Sequence, residues 1–306
     1  MNEPRSDPAG DAVSLATFDE HRGLLFSIAY RMLGSVTDAE DMLQEAFIRW
    51  QQASKDELRS PRALLVTIVS RLCISHLQSA RVQREQYVGQ WLPEPLVTDP
   101  RSDPLGVLKA DESLSMALLV LLERLTPVER AVFILHEVFR FKYAEIAAAL
   151  GQSEANCRQV LHRARGHVGI ARRRFTASAR EHENLLERFL AASREGDVNA
   201  LVTLLADDVV LHADGGGKAI AVPNIIRGID KVGRALAGGM RLLPATLFSR
   251  TARVNGQPGV ISYVDGKPFS VLTLDIRDGR IAGIFIVTNP RKLAHLPNLD
   301  HEGGGR

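Results

Sequence analysis

Between Gln86 and Asp111 the chain carries four prolines, and every helical period on either side stops there. A continuous helix or sheet cannot run through such a stretch, because each proline removes a backbone donor and fixes φ. The chain must therefore fold as separate bodies joined by this segment, and 306 residues allow two or three. Trp91, Leu92 and Leu96 make the joining segment too apolar for a purely solvated tether.

Upstream of it the grammar is helical. Thr37 and Glu40 have capping-box spacing at the head of DAEDMLQEAFIRWQQ, in which Ala39, Met42, Leu43, Ala46, Phe47 and Trp50 recur at helical spacing. Asp38, Asp41, Gln44, Glu45 and Gln52 fall on the other faces. Ser60-Pro61 opens a further helix over about 61–82, apolar on most sides, with a polar stripe of Thr67, Arg71, Ser75 and Gln78 and with Arg81 and Arg84 beyond.

Downstream, Thr126, Pro127 and Glu129 fix a helix start. Tyr143, Ile146, Ala147 and Leu150 then give one short apolar face, Gly151 breaks it, and Cys157, Val160, Leu161, Ala164 and Val168 give another. Two short amphipathic helices joined by a tight glycine turn make a helix-turn-helix candidate. From about residue 181 helices near 181–195, 198–205 and 229–239 accompany strand-like runs near 207–213, 217–222, 246–254, 259–264, 268–276 and 280–288. Asp265-Gly266 and Asp278-Gly279 are hairpin turns between such runs. The chain thus reads as two all-α bodies, the second with the helix-turn-helix, followed by an α+β unit in which helices pack on a curved sheet.

A net charge of +2 would normally argue against nucleic acid, but the charge is segregated. Residues 1–176 hold 22 basic and 22 acidic residues, yet 59–84 carries five arginines and no acid, and 158–174 six and no acid. No acid follows Glu154 until Glu181, so the helix bearing Arg158, His162, Arg163 and Arg165 is expected to lack the usual i,i+4 pairing of a wet helix. The first, second and fourth of these are expected to face away from the apolar seam. Ser153, Asn156 and Gln159 lie toward its N-terminal end, where such a helix meets base edges in the major groove. The stripe Arg71, Ser75, Gln78 and Arg81 suits backbone-tracking of single-stranded DNA, while Arg62 is placed to pair with acids of the 38–57 helix.

Cys73 and Cys157 are the two cysteines and fit neither a disulfide framework nor a zinc site, as expected in a reducing compartment. The first residues do not combine a basic start with an apolar run, and the longest apolar segment, ALLVTIV at 63–69, is too short to span a bilayer. A cytoplasmic chain without membrane, metal or cofactor is the expectation.

These segments resemble a known family. DAEDMLQEAFIRWQQ, SPRALLVTIVSRLCISHLQSARVQRE and LTPVERAVFILHEVFRFKYAEIAAALGQSEANCRQVLHRAR look like regions 2 and 4 of an extracytoplasmic-function sigma factor, in matching order across about residues 16–170. WLPEPL at 91–96, DGGGK at 214–218 and NPRKL at 289–293 resemble marks of the group with a fused C-terminal SnoaL-like, NTF2-type domain. The resemblance implies region 2 at 12–87, a linker at 88–111, region 4 at 112–176 and a SnoaL-like regulatory cone at 181–298. It implies core RNA polymerase and a two-element promoter as partners, and leaves room for a small-molecule ligand in the C-terminal cone. Asp38, Asp41, Gln44, Glu45 and Phe47 would then dock on polymerase. Arg71, Ser75, Gln78 and Arg81 would face minus-10 DNA, and Ser153, Asn156, Arg158, Gln159, His162, Arg163 and Arg165 minus-35 DNA. Trp91, Pro93, Asp214, Gly215, Gly216, Gly217, Lys218, Asn289, Pro290, Lys292 and Leu293 would make regulatory contacts. The chain departs from the family's pattern at Leu64 (often aromatic), Ser75 (often acidic) and Arg291 (usually an acid).

Three-glycine runs such as 215–217 allow close backbone approach, by a ligand or by another segment such as WLPEPL. Two other functions remain open to the sequence. One is a helix-turn-helix regulator without polymerase docking. The other is a cyclase or isomerase using His212 and Asp214, which alternate on one strand face.

Overall fold

The computed structural model describes residues 8–53, 60–85, 87, 89–98, 115–168, 178–217 and 221–299. These form two compact units. One is built from the helices before the linker and those of the helix-turn-helix region, the other from the linker, the helix that follows it, and the chain from residue 178 on.

In the first unit α1 (Pro8–Leu33) packs along α2 (Val36–Gln52), followed by α3 (Pro61–Glu85). Leu25, Ile28, Leu43, Ala46, Leu65, Val69 and Cys73 are buried, and Trp50 donates its indole N–H to the Ser14 carbonyl at 3.0 Å. The pattern predicts a Thr37–Glu40 box at the head of α2, but the cap is Ser35, whose hydroxyl accepts from the Asp38 N–H. Gly34, with φ of +67°, ends α1 and presents Ser35 to the first free amides. Ser60 caps α3 as expected, accepting from Ala63 N–H at 3.2 Å.

The Thr126–Glu129 capping box opens α5 (Pro127–Phe133), which runs into a π-helix at Ile134–Val138. Arg130 on α5 is buried, donating to the Met32 carbonyl of α1 at 2.6 Å and to Glu123 at 2.7 Å. Then come α6 (Tyr143–Leu150), Gly151 in the left-handed region, and α7 (Glu154–Val168).

The second unit is a seven-stranded sheet in the order β1 (Val97–Thr98), β4 (Phe248–Val254), β5 (Gln257–Val264), β6 (Lys267–Arg277), β7 (Arg280–Val287), β2 (Leu205–Asp214) and β3 (Ile226–Arg227). All neighbours are antiparallel except β2 and β7, which run parallel with His212 opposite Phe285. Asp265-Gly266 and Asp278-Gly279 take the expected positive φ, and Asn255-Gly256 makes a third such turn. Residues 218–220, inside the strand expected over 217–222, lie outside the described residues, and the short strand falls at Ile226–Arg227 instead.

Alternation along the strands builds two cores. One face carries Val209, Leu211, Val260, Leu274, Ile276 and Ile284 under α8 (Ala179–Glu195), α9 (Val198–Leu204) and α10 (Ile229–Met240). The other carries Ile261, Tyr263, Val271, Phe285 and Val287, packed with Leu92 of the linker, Met116 and Ala117 of α4 (Met116–Leu122), and Leu293 of α11 (Pro290–Leu293). This is the α+β unit expected, but its helices do not keep to one face as anticipated: α4 and α11 join the linker side chains in the second core.

Candidate nucleic-acid interface and linker clasp

On α7 the seam Cys157, Val160, Leu161, Ala164 and Val168 is buried throughout, as its spacing requires. Ser153, Asn156, Arg158, Gln159, His162, Arg163 and Arg165 are all exposed. Ser153 accepts from the Asn156 N–H at 3.2 Å, and the Asn156 side chain donates to Gln152 at 2.9 Å.

Two sequence expectations fail here. The arginines are not without acids: Arg158 pairs with Glu154 at 2.8 Å, Arg165 with Glu137 at 2.5 Å, and Arg163 approaches Glu129 at 3.6 Å. Glu154 is an i,i+4 partner in the first turn of α7 itself, while Glu137 and Glu129 come from the π-helix and α5, beyond the reach of a local count. Nor does Arg165 stand opposite the seam, because it turns to Glu137 beside it. Burial raises the Glu129 carboxyl, but the Thr126 N–H and hydroxyl with His167 and Arg163 outweigh it, and its pKa sits below the ordinary 4.5.

Along α3, Arg71, Ser75 and Gln78 are exposed, and the Arg81 side chain lies outside the described residues. Arg71 Nε donates to the Ala149 carbonyl at the end of α6 at 2.8 Å, where the helix dipole favours a cation. The Arg62 guanidinium lies 4.6 Å over the Phe141 ring, and it is His76 that reaches an acid of α2, Asp38, at 3.6 Å. On α2 itself Asp41 and Gln44 are exposed, Glu45 holds Arg49 at 2.8 Å, and Ile48 adds an exposed apolar side chain. Phe47 is half-buried, its ring edge-on to Phe18 at 5.0 Å.

In the second unit the three short marks meet. Asp214 ends β2 fully buried, and four donors converge on its carboxylate: Tyr87 hydroxyl at 2.5 Å, Leu92 N–H at 2.8 Å, Gly216 N–H at 3.0 Å and Lys292 Nζ at 2.8 Å. Lys292, buried on α11, also donates to the Leu92 carbonyl, with Trp91 4.1 Å and Tyr87 5.1 Å below its ammonium. Asn289 caps α11 and donates to the Tyr87 hydroxyl at 2.7 Å. Gly216, at φ +61°, lies where a Cβ would stand 2.4 Å from the Asn289 amide. Gly215 and Pro93 are buried, Gly217 and Pro290 exposed, Leu293 is in the core, and Lys218 lies outside the described residues.

Sequence reasoning missed three clasp residues. Tyr87 is held above the usual phenol range, first by burial and then by its bond to Asp214, so it stays a donor. Asn255 accepts from Leu96 N–H at 2.9 Å and donates its own N–H to the Leu96 carbonyl at 2.7 Å, and His295 meets the Pro95 carbonyl at 3.0 Å. Asn255-Gly256 carried a legible turn signal; the other two had none.

The structure gives His212 and Asp214 different surroundings. His212 stacks on Phe285 at 5.1 Å, and the Asp214 oxygens are filled by the linker and its neighbours.

Residues 17–82 match the Sigma-70 region 2 family and 115–168 the Sigma-70, region 4 family. Over 297 residues the chain is 38% identical to the ECF RNA polymerase sigma factor SigJ of Mycobacterium tuberculosis, covering 93% of this chain and 95% of that one. The chain belongs to the extracytoplasmic-function RNA polymerase sigma factors. It is also 34% identical over 288 residues to a probable sigma factor of the same organism, SigI, covering 94% of this chain and 96% of SigI. The crystal structure of SigJ superposes with a TM-score of 0.76 at 37% identity, covering 92% of this sigma factor and 98% of SigJ. A sigma factor binds core RNA polymerase and directs it to promoter DNA, and is not an enzyme. Among the described residues no helix is long and apolar enough to cross a membrane.

Proposed function

We propose that this sigma factor is regulated in cis, its C-terminal unit acting on the linker between two DNA-binding regions. Region 2 takes residues 12–87, region 4 residues 112–176, and the regulatory unit 181–298. In this reading Asp38, Asp41, Gln44, Glu45 and Phe47 belong to the polymerase-docking helix. Arg71, Ser75, Gln78 and Arg81 serve the minus-10 element, and the exposed face of α7 the minus-35 element. The chain acts in the cytoplasm, where core polymerase and promoter are.

The observation that carries regulation is the clasp on Asp214. Tyr87, at the end of region 2, and Leu92 of the linker supply two of its four donors, so the start of the linker cannot move while the carboxylate is satisfied. A small molecule held by the C-terminal unit would act by favouring the clasped or the released linker, and shifts the population only by its difference in affinity for the two.

The test is run-off transcription with purified core polymerase, comparing the full chain with one cut after Arg174. Promoter-dependent output changes on truncation if the C-terminal unit regulates. Equal output from both removes the regulatory reading and leaves the sigma activity untouched.

A further inference from the structure

The helix α7 is held on both flanks of its apolar seam by buried carboxylates from elsewhere in the chain. At about 100° per residue, Arg165 lies about 80° to one side of the seam's midline and Arg163 about 120° to the other. Arg165 sends both Nε and an Nη to one oxygen of Glu137, at 3.0 and 2.5 Å. On the opposite flank Arg163 and His167 approach Glu129 at 3.6 and 3.9 Å. The Glu137 side chain is 4% exposed and that of Glu129 8%, while Arg165 and Arg163 are 53% and 56% exposed.

Arg158 differs in kind. Its partner Glu154 is 46% exposed and it is itself 57% exposed, so the pair sits in water and is worth little. Arg158 can leave Glu154 for a phosphate or a base edge at small loss. Arg165 cannot leave Glu137 so easily: the buried carboxylate, with His136 Nδ1 3.4 Å away, would lose two hydrogen bonds from a full positive charge. The π-helix carrying Glu137 also sends His136 onto the Tyr143 ring at 4.6 Å, and Arg158 lies 5.1 Å over that same ring. One short element thus supports both the anchored and the exchangeable arginine.

We propose that Glu137 and Glu129 are positioning residues for promoter recognition: they fix the roll of α7 through Arg165 and Arg163, so that Ser153, Asn156, Arg158, Gln159 and His162 read the bases. This rests on α7 being the minus-35 reader. It divides the exposed basic residues into readers and anchors, a division that charge alone does not make.

The experiment uses the full chain bound to core RNA polymerase, selecting from duplex DNA randomised at the minus-35 position. Glu137→Gln keeps the side-chain shape and Arg165→Gln is half exposed, so thermal unfolding confirms that both variants fold. Each lowers enrichment of the preferred element roughly tenfold, spread over all the bases read, since a rolled helix misplaces every reader. The double variant is no worse than either single, because both break one contact. Two outcomes overturn the proposal alone: Glu137→Gln selecting the wild-type element undiminished, or Arg165→Gln losing preference at one base and adding fully to Glu137→Gln. If the wild-type chain enriches no sequence, the minus-35 reading fails and the proposal with it.

Discussion

The backbone N–H of Leu92 donates to the Asp214 carboxylate at 2.8 Å, joining positions 122 residues apart. Asp214 is fully buried and its charge is balanced by Lys292, so the linker is tied to the C-terminal unit through an ionic core rather than by apolar contact alone.

Asp214→Asn should destabilise the C-terminal unit by about 3–5 kcal/mol, since it leaves a buried ammonium without its counter-charge. Denaturant unfolding gives the value, and hydrogen exchange at the Leu92 amide reports the linker. A loss under about 1 kcal/mol, with the amide still protected, would mean that the carboxylate's charge is not what holds it.

Gly216→Ala tests the same clasp from the other side. The new methyl would meet the Asn289 amide in a backbone conformation already unfavourable for alanine. A destabilisation of about 1–3 kcal/mol is expected, with faster exchange around Tyr87 as Asn289 is displaced. Unchanged stability would show that Asn289 can move aside without strain.

His182, buried on α8 with its Nε2 unpaired, is pushed by burial from the ordinary 6.5 down to about 4. Between these values the unfolded chain binds a proton that the folded one refuses, so stability falls as pH drops from 6.5 toward 4 and levels off below. The loss should reach about 3 kcal/mol. His182→Leu should abolish that part of the pH dependence; unfolding curves at pH 7 and 4.5 decide.

Arg158→Ala should lower affinity for the preferred minus-35 sequence by about 1–3 kcal/mol and relax preference at one base, if the side chain reaches a base edge. Binding measured on matched and mismatched duplexes separates this from a phosphate contact, for which the loss is equal on both.

What could be read from the sequence was whatever depends on near neighbours. The seam of α7 follows from spacing, the Thr126–Glu129 cap from residues three apart, and the Asp-Gly turns from a φ that few other residues accept. The start of α2 slipped by two residues because Gly34 made Ser35 available first. Partners drawn from a distance were not legible: nothing near Arg165 announces Glu137, and nothing near Leu96 announces Asn255. The clasp lay between. Its three marks stood out as motifs, but that Asp214 is their common centre emerges only once β2, α11 and the linker converge.

The two-residue strand Val97–Thr98 pairs with β4 at the margin of the sheet, covering part of a row of amides and carbonyls that would otherwise be open. Were the linker to lift away, as the proposed regulation requires, that row would be open to any extended peptide, a second molecule of the same protein included. Freedom for the tether would thus bring with it a hazard of self-association.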